Sequence, residues 1–204
     1  MEGLTIRKAT AGDLEHIAEL VAGDPGQEAI ALAGCREAAR NFGMALVRLP
    51  DSPQGWAAST LAELDGRAVG VVQTSNGEAS FRLTPRLLRL AVRVFGAGLV
   101  AVLGRYQARR RVDIPHPKDS LHIEELQVDP GYRSRGIGGA LLERVEAQAR
   151  ERGLQTISLN TTTVNPARNL YERHGFRVAE TRTDAAFERY TGIPGRHLML
   201  KELT

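Results

Sequence analysis

Apolar residues recur every second position in some stretches of the chain and every third or fourth in others, and that change of period predicts the elements. Leu4-Thr5-Ile6-Arg7-Lys8 alternates as a strand. Thr10-Ala11-Gly12-Asp13 then has the spacing of a capping box, and Leu14, Ile17, Ala18 and Val21 follow at helical spacing, which predicts a first helix of about three turns. Gly23-Asp24-Pro25-Gly26 interrupts it, and Gln27 to Met44 reads as a second, alanine-rich helix. Leu49 to Gly55 is loop. Ala57 to Leu64 and Arg67 to Thr74 form a hairpin around Asp65-Gly66, a pair that readily takes the positive φ angles of a tight turn.

The next pattern is helical and basic. Arg82, Arg86, Arg89 and Arg93 are spaced four, three and four residues apart, and Leu83, Leu87, Leu90 and Val94 repeat that spacing one residue on. Val94 to Gly104 is an apolar run of eleven residues. As a helix it would be roughly 16 Å long, too short for the ~30 Å core of a bilayer. Ile114-Pro115-His116-Pro117 closes the segment. Strands at Leu121 to Val128, Leu154 to Asn160, Phe176 to Thr181 and Arg196 to Glu202 then alternate with helices at Gly136 to Arg152 and Pro166 to His174. The order predicts one α/β domain over 1–204, a mixed, mostly antiparallel twisted sheet of about six or seven strands with helices on both faces. A helical insertion at about 79–117 falls between the third and fourth strands.

Composition bounds this picture without changing it. The 204 residues are 42% hydrophobic and 25% charged, ordinary for a globular domain. One cysteine, Cys35, cannot build a disulfide framework, and Met1 to Lys8 lack the pattern of a signal peptide, so a cytoplasmic location is expected. Charge is more informative. The chain is net +3, yet eight arginines and no acid lie between Phe81 and Val112, so the rest is net acidic by five charges. A pair of helices packed on the domain with a solvated basic face accounts for this. A cap over a pocket, a subunit contact, and an anchor to anionic lipid or nucleic acid are the alternatives, and neither nucleic acid nor membrane is the expected partner. The five histidines show no metal-ligand spacing.

The chemistry centres on Gln127-Val128-Asp129-Pro130-Gly131-Tyr132-Arg133-Ser134-Arg135-Gly136-Ile137-Gly138-Gly139, a strand leading through a turn into a glycine-rich helix start. Such a start exposes unpaired backbone N–H groups that attract phosphate. It lacks the lysine of a P-loop, and Leu141 stands where a dinucleotide fingerprint needs its third glycine. The stretch from Ile123 to Gly138 instead resembles the acetyl-coenzyme A motif of the GCN5-related N-acetyltransferase family. Asn165-Pro166-Ala167-Arg168-Asn169-Leu170-Tyr171-Glu172-Arg173-His174-Gly175-Phe176 resembles that family's second signature, in the right order.

The resemblance implies the acyl-CoA N-acyltransferase fold, acetyl-CoA as co-substrate, an amine acceptor, and a homodimer, since members often dimerise. Arg133, Ser134, Arg135, Gly136, Ile137, Gly138 and Gly139 would surround the pyrophosphate, mainly through backbone N–H groups. Leu126, Gln127 and Val128 would offer backbone groups to the pantetheine arm, and Asn165 and Asn169 would contact the cofactor; for Asn165, placed before Pro166, a helix cap and nothing more is the alternative. Tyr171 would protonate the departing thiolate; a core tyrosine with a satisfied hydroxyl is the alternative. Glu124, then Glu125 or His122, would take the proton of the attacking amine. Strict strand alternation puts His122 and Glu124 on one face and Glu125 on the other, unless a bulge intervenes. A non-catalytic acyl-CoA sensor on the same fold remains the rival reading. The forty-odd residues between hairpin and motif strand depart from the family pattern and leave the acceptor open.

Overall fold

The computed structural model describes residues 3–49, 55–76 and 84–203. Its frame is a seven-stranded sheet in the order β1-β2-β3-β4-β5-β7-β6. The strands are β1 (Leu4–Lys8), β2 (Ser59–Leu64), β3 (Arg67–Asn76), β4 (Ser120–Val128), β5 (Thr156–Thr162), β6 (Arg177–Thr183) and β7 (Gly195–Glu202). Neighbours pair antiparallel except β4 and β5, which run parallel, so the sheet is mixed and mostly antiparallel as its pattern predicts.

Two irregularities in β4 position everything that follows. Against β3 the register shifts between Gln73 opposite Glu125 and Thr74 opposite Ile123, so Glu124 is the extra residue of a bulge. Against β5 the pairing runs only from Ser120–Thr156 to Ile123–Leu159, although β4 continues to Val128 and β5 to Thr162. The two central strands therefore part company just beyond the bulge.

Helices cover both faces. On one, α6 (Ile137–Glu151) and α7 (Arg168–Arg173) press Ile137, Leu141, Leu142, Val145 and Tyr171 onto Leu121, Ile123, Ile157, Leu159 and Met199. Each such apolar side chain, fully buried, contributes about 1.5–3 kcal/mol. On the other, α1 (Leu14–Ala22) and α3 (Arg36–Val47) place Ile17, Ala18 and Val47 against Leu61 and Val71. The insertion forms α4 (Pro85–Phe95) and α5 (Leu99–Val112), and Ala108 and Val112 of α5 are buried with Phe187 and Ile193.

The structure corrects three expectations. The predicted second helix is two, α2 (Gln27–Ala33) and α3, because Gly34 ends the first in the left-handed region at φ 96°. A short helix α8 (Ala185–Thr191), unforeseen, starts where the Asp184 carboxylate accepts from Ala186 N and Phe187 N, both at 2.9 Å. The segment from Asn165 to Ala167 is a turn and α7 begins only at Arg168, where a helix from Pro166 was expected. The predicted loop at 50–54 and the arginine-helix residues Arg82 and Leu83 lie outside the described residues.

Candidate active site

The glycine turn is the electropositive end of the site. Ser134 (φ 61°) and Gly136 (φ 78°) both take left-handed backbone, which turns the chain from the loop after β4 into the start of α6. No side chain caps that start, so the first N–H groups of α6 remain available. A Cβ at Gly138 would lie 2.9 Å from Leu170 Cδ2, so a larger residue there would have to displace the end of that side chain. Gly139 is buried against His174, and the Ile137 side chain is buried in the core, so both offer only backbone to a ligand. Arg133 is exposed and donates from Nε to the Val128 carbonyl at 3.1 Å; Arg135 lies over the Tyr132 ring at 5.3 Å.

The bulge decides the opposite end. Leu121 and Ile123, and beyond it Leu126 and Val128, all pack on the α6 side, so the alternation skips a step at Glu124. His122, Glu124, Glu125 and Gln127 consequently share the other face. Strict alternation, which separated Glu125 from Glu124, fails here for that reason. Ser75 Oγ donates to Glu124 Oε1 at 2.6 Å, and Gln127 Nε2 donates to Glu125 Oε1 at 2.8 Å.

Burial sets the proton affinities. It raises Glu124, opposed by the Ser75 hydrogen bond and by Arg109. It pushes Glu125 up to about 7, against the Gln127 hydrogen bond and Arg196, with Glu28 and Glu124 adding to the rise. His122 goes the other way, down to about 3, because it is buried, lies edge-on to His116 at 3.9 Å and feels Arg196. Its Nδ1 is 2.9 Å from Ser158 Oγ, and a neutral, hydrogen-bonded imidazole of such low basicity suits structure better than proton capture. Tyr171 is buried, its ring 6.0 Å from Phe176, and burial and the charge of Glu125 raise its phenol above the usual range. Among the described residues its hydroxyl makes no hydrogen bond, unlike that of a satisfied core tyrosine.

Sequence reasoning missed the groups that frame these carboxylates. Glu28 of α2 accepts from Arg196 of β7 at 2.6 and 2.7 Å and from Arg109 of α5 at 3.0 Å, and Arg109 also holds Asp113 at 2.7 Å. Arg196 is 9% exposed, and its Nε has no acceptor among the described residues. An arginine set in the apolar strand Arg196-His197-Leu198-Met199-Leu200 was the one available signal. Asn165 accepts from Ala167 N at 2.9 Å and donates to Thr161 Oγ1 at 2.7 Å, so its amide braces the turn before α7; Asn169 is exposed on that helix. A cleft of about 590 Å³ opens between the α1–α2 junction and Gln127 and Arg133, connecting the strand end to the glycine turn.

The family model for the acetyltransferase (GNAT) family matches residues 27–176. The chain belongs to this family. A GNAT relative, the streptothricin acetyltransferase of Streptomyces lavendulae, is 40% identical over 80 residues, 39% of this chain and 41% of that protein. The blasticidin-S acetyltransferase of Streptomyces morookaense is 39% identical over 83 residues, 41% of this chain and 57% of its own. The matches thus span about half the length of these relatives. A GCN5-related N-acetyltransferase from Kribbella flavida superposes with a TM-score of 0.59 over 99% of both chains, at 21% identity, and shares the GNAT fold.

Proposed function

We propose that this GNAT chain moves an acetyl group from acetyl-CoA to a primary amine, by direct attack of the amine on the thioester, in the cytoplasm. The observation that carries the reading is the parting of β4 from β5 beyond Ile123–Leu159, flanked by an uncapped helix start at one end and paired carboxylates at the other. The gap suits an extended pantetheine arm, with backbone of Leu126, Gln127 and Val128 as its partner. The residues from Arg133 to Gly139 suit a pyrophosphate.

Acetyl-CoA supplies the activated acyl carbon and a thiol leaving group; the chain's own groups handle the protons. Glu124 or Glu125 accepts one proton from the acceptor ammonium, freeing the lone pair that forms the new C–N bond, and the second proton that this nitrogen sheds after attack passes to solvent. A backbone N–H of Leu126 to Val128 meets the developing oxyanion. As the C–S bond breaks, Tyr171 donates its hydroxyl hydrogen to the departing sulfur and is reprotonated from solvent. The raised affinity of Tyr171 for its proton keeps the phenol protonated through attack but makes it a weak acid, so transfer to sulfur occurs only as the thiolate forms beside it.

The rival reading, a sensor that binds acyl-CoA without turnover, gives no purpose to a tyrosine hydroxyl that has no hydrogen-bond partner among the described residues. Release of free thiol from acetyl-CoA, followed across a panel of amines, tests the proposal. The panel includes streptothricin, blasticidin S, diamines, amino acids and peptide N-termini. Turnover with at least one amine is expected; acetyl-CoA binding with no thiol release across the panel would leave the sensor.

A further inference from the structure

The outward face of α4 and α5 takes no part in the proposed acetyl transfer. Pro85–Val112 is long and apolar enough to cross a membrane by length and composition, yet only 6% of its most apolar 18-residue window is buried. Its packing excludes crossing. Phe95 lies on Phe42 with ring centroids 5.0 Å apart, Arg109 is tied to Glu28, Ala108 and Val112 are buried, and the chain turns at Gly96 with φ 50°. Leu88 (48% exposed), Val92 (52%), Val100 (78%) and Leu103 (55%) are left facing solvent. Beside them on α4 runs the exposed stripe Arg86, Arg89 and Arg93, and Arg110 and Arg111 are exposed at the end of α5. No acid lies anywhere on the two helices.

We propose that this face docks on an anionic phospholipid surface. Leu88, Val92, Val100 and Leu103 enter the boundary between headgroups and acyl chains, and the flanking arginines meet lipid phosphates. Charge and apolarity together select this occupant. A second copy packed about a two-fold axis would oppose identical arginine stripes. Nucleic acid would engage the arginines and leave the four apolar side chains in water. The anionic leaflet uses both, and it departs from the sequence-level expectation that no membrane takes part. The cytoplasmic leaflet carries that charge, in keeping with the proposed location.

The test is flotation of the full chain with vesicles of phosphatidylcholine alone and with vesicles containing about one third phosphatidylglycerol. Flotation with the anionic vesicles only, falling steeply as salt rises, is expected. Arg89→Gln combined with Arg93→Gln should weaken binding about twenty-fivefold, from a contribution of about fivefold per arginine. Leu88→Asp combined with Val100→Asp should weaken it at least about tenfold. Both pairs are exposed, so acetyl-CoA affinity and thermal midpoint should stay unchanged. Failure to float with anionic vesicles overturns the proposal. So does equal flotation with neutral vesicles, or binding indifferent to both double variants. Dimerisation abolished by Leu88→Asp, in place of vesicle binding, reassigns the face to a second copy.

Discussion

Tyr171 combines a phenol raised by burial with a hydroxyl that finds no protein partner among the described residues, so replacing it should disturb chemistry more than folding. Tyr171→Phe is expected to lower kcat by about 10²-fold or more while acetyl-CoA affinity, read by calorimetry, stays within about twofold. Full kcat in the variant would remove Tyr171 from the reaction. As the proposed base, Glu125 would set the pH dependence. A base that must be ionised, and whose proton is held to about pH 7, makes kcat/KM rise through that pH. Glu125→Gln should abolish that limb, and Glu124→Gln should lower activity but keep it if Glu125 is the base. Stability should move the opposite way. The folded chain holds this proton to about 7 and the unfolded chain only to about 4.5, so this residue makes stability fall as pH rises through that window. Denaturant midpoints at pH 5 and 8 measure it.

Elements explain how these residues meet, and one short helix gives a clean test. Asp184 caps α8 with two hydrogen bonds and lies 3.7 Å from Arg111. Asp184→Ala should cost about 1 kcal/mol, read as a lower denaturation midpoint, because Phe187 and Ile193 would lose the helix that seats them beneath α5. Arg109→Leu reaches further. It frees one side of Glu28, whose charge acts on the proposed base Glu125, and should raise KM for the amine with little change in acetyl-CoA affinity. The succession of strands and helices, the hairpin, α6 and the glycine turn were legible because alternation, helical spacing and turn residues are local signals. The bulge was not, since an extra residue at Glu124 is defined only by its partner strand. The Glu28–Arg109–Arg196 junction was not either, because α2, α5 and β7 are brought together only by tertiary packing. Nor was the break at Gly34, where alanine-rich sequence on both sides masked the glycine.

At the scale of the whole molecule, the proposed co-substrate should act as a stabiliser. Acetyl-CoA at about a hundred times its Kd should add about 2.7 kcal/mol and raise the thermal midpoint by roughly 5–10 °C, read by scanning fluorimetry. The parting of β4 from β5 has a further consequence. Between Glu125–Val128 and Asn160–Thr162 the two strands do not pair, which leaves strand edges in the interior of the sheet, whereas most proteins keep such edges at the periphery. The proposed reaction cycle would then cover and expose those edges at each turnover. The amide protons of Leu126 and Val128, which alternation turns away from β3, should exchange faster without acetyl-CoA than with it, while those of Glu125 and Gln127 stay protected by β3 in both.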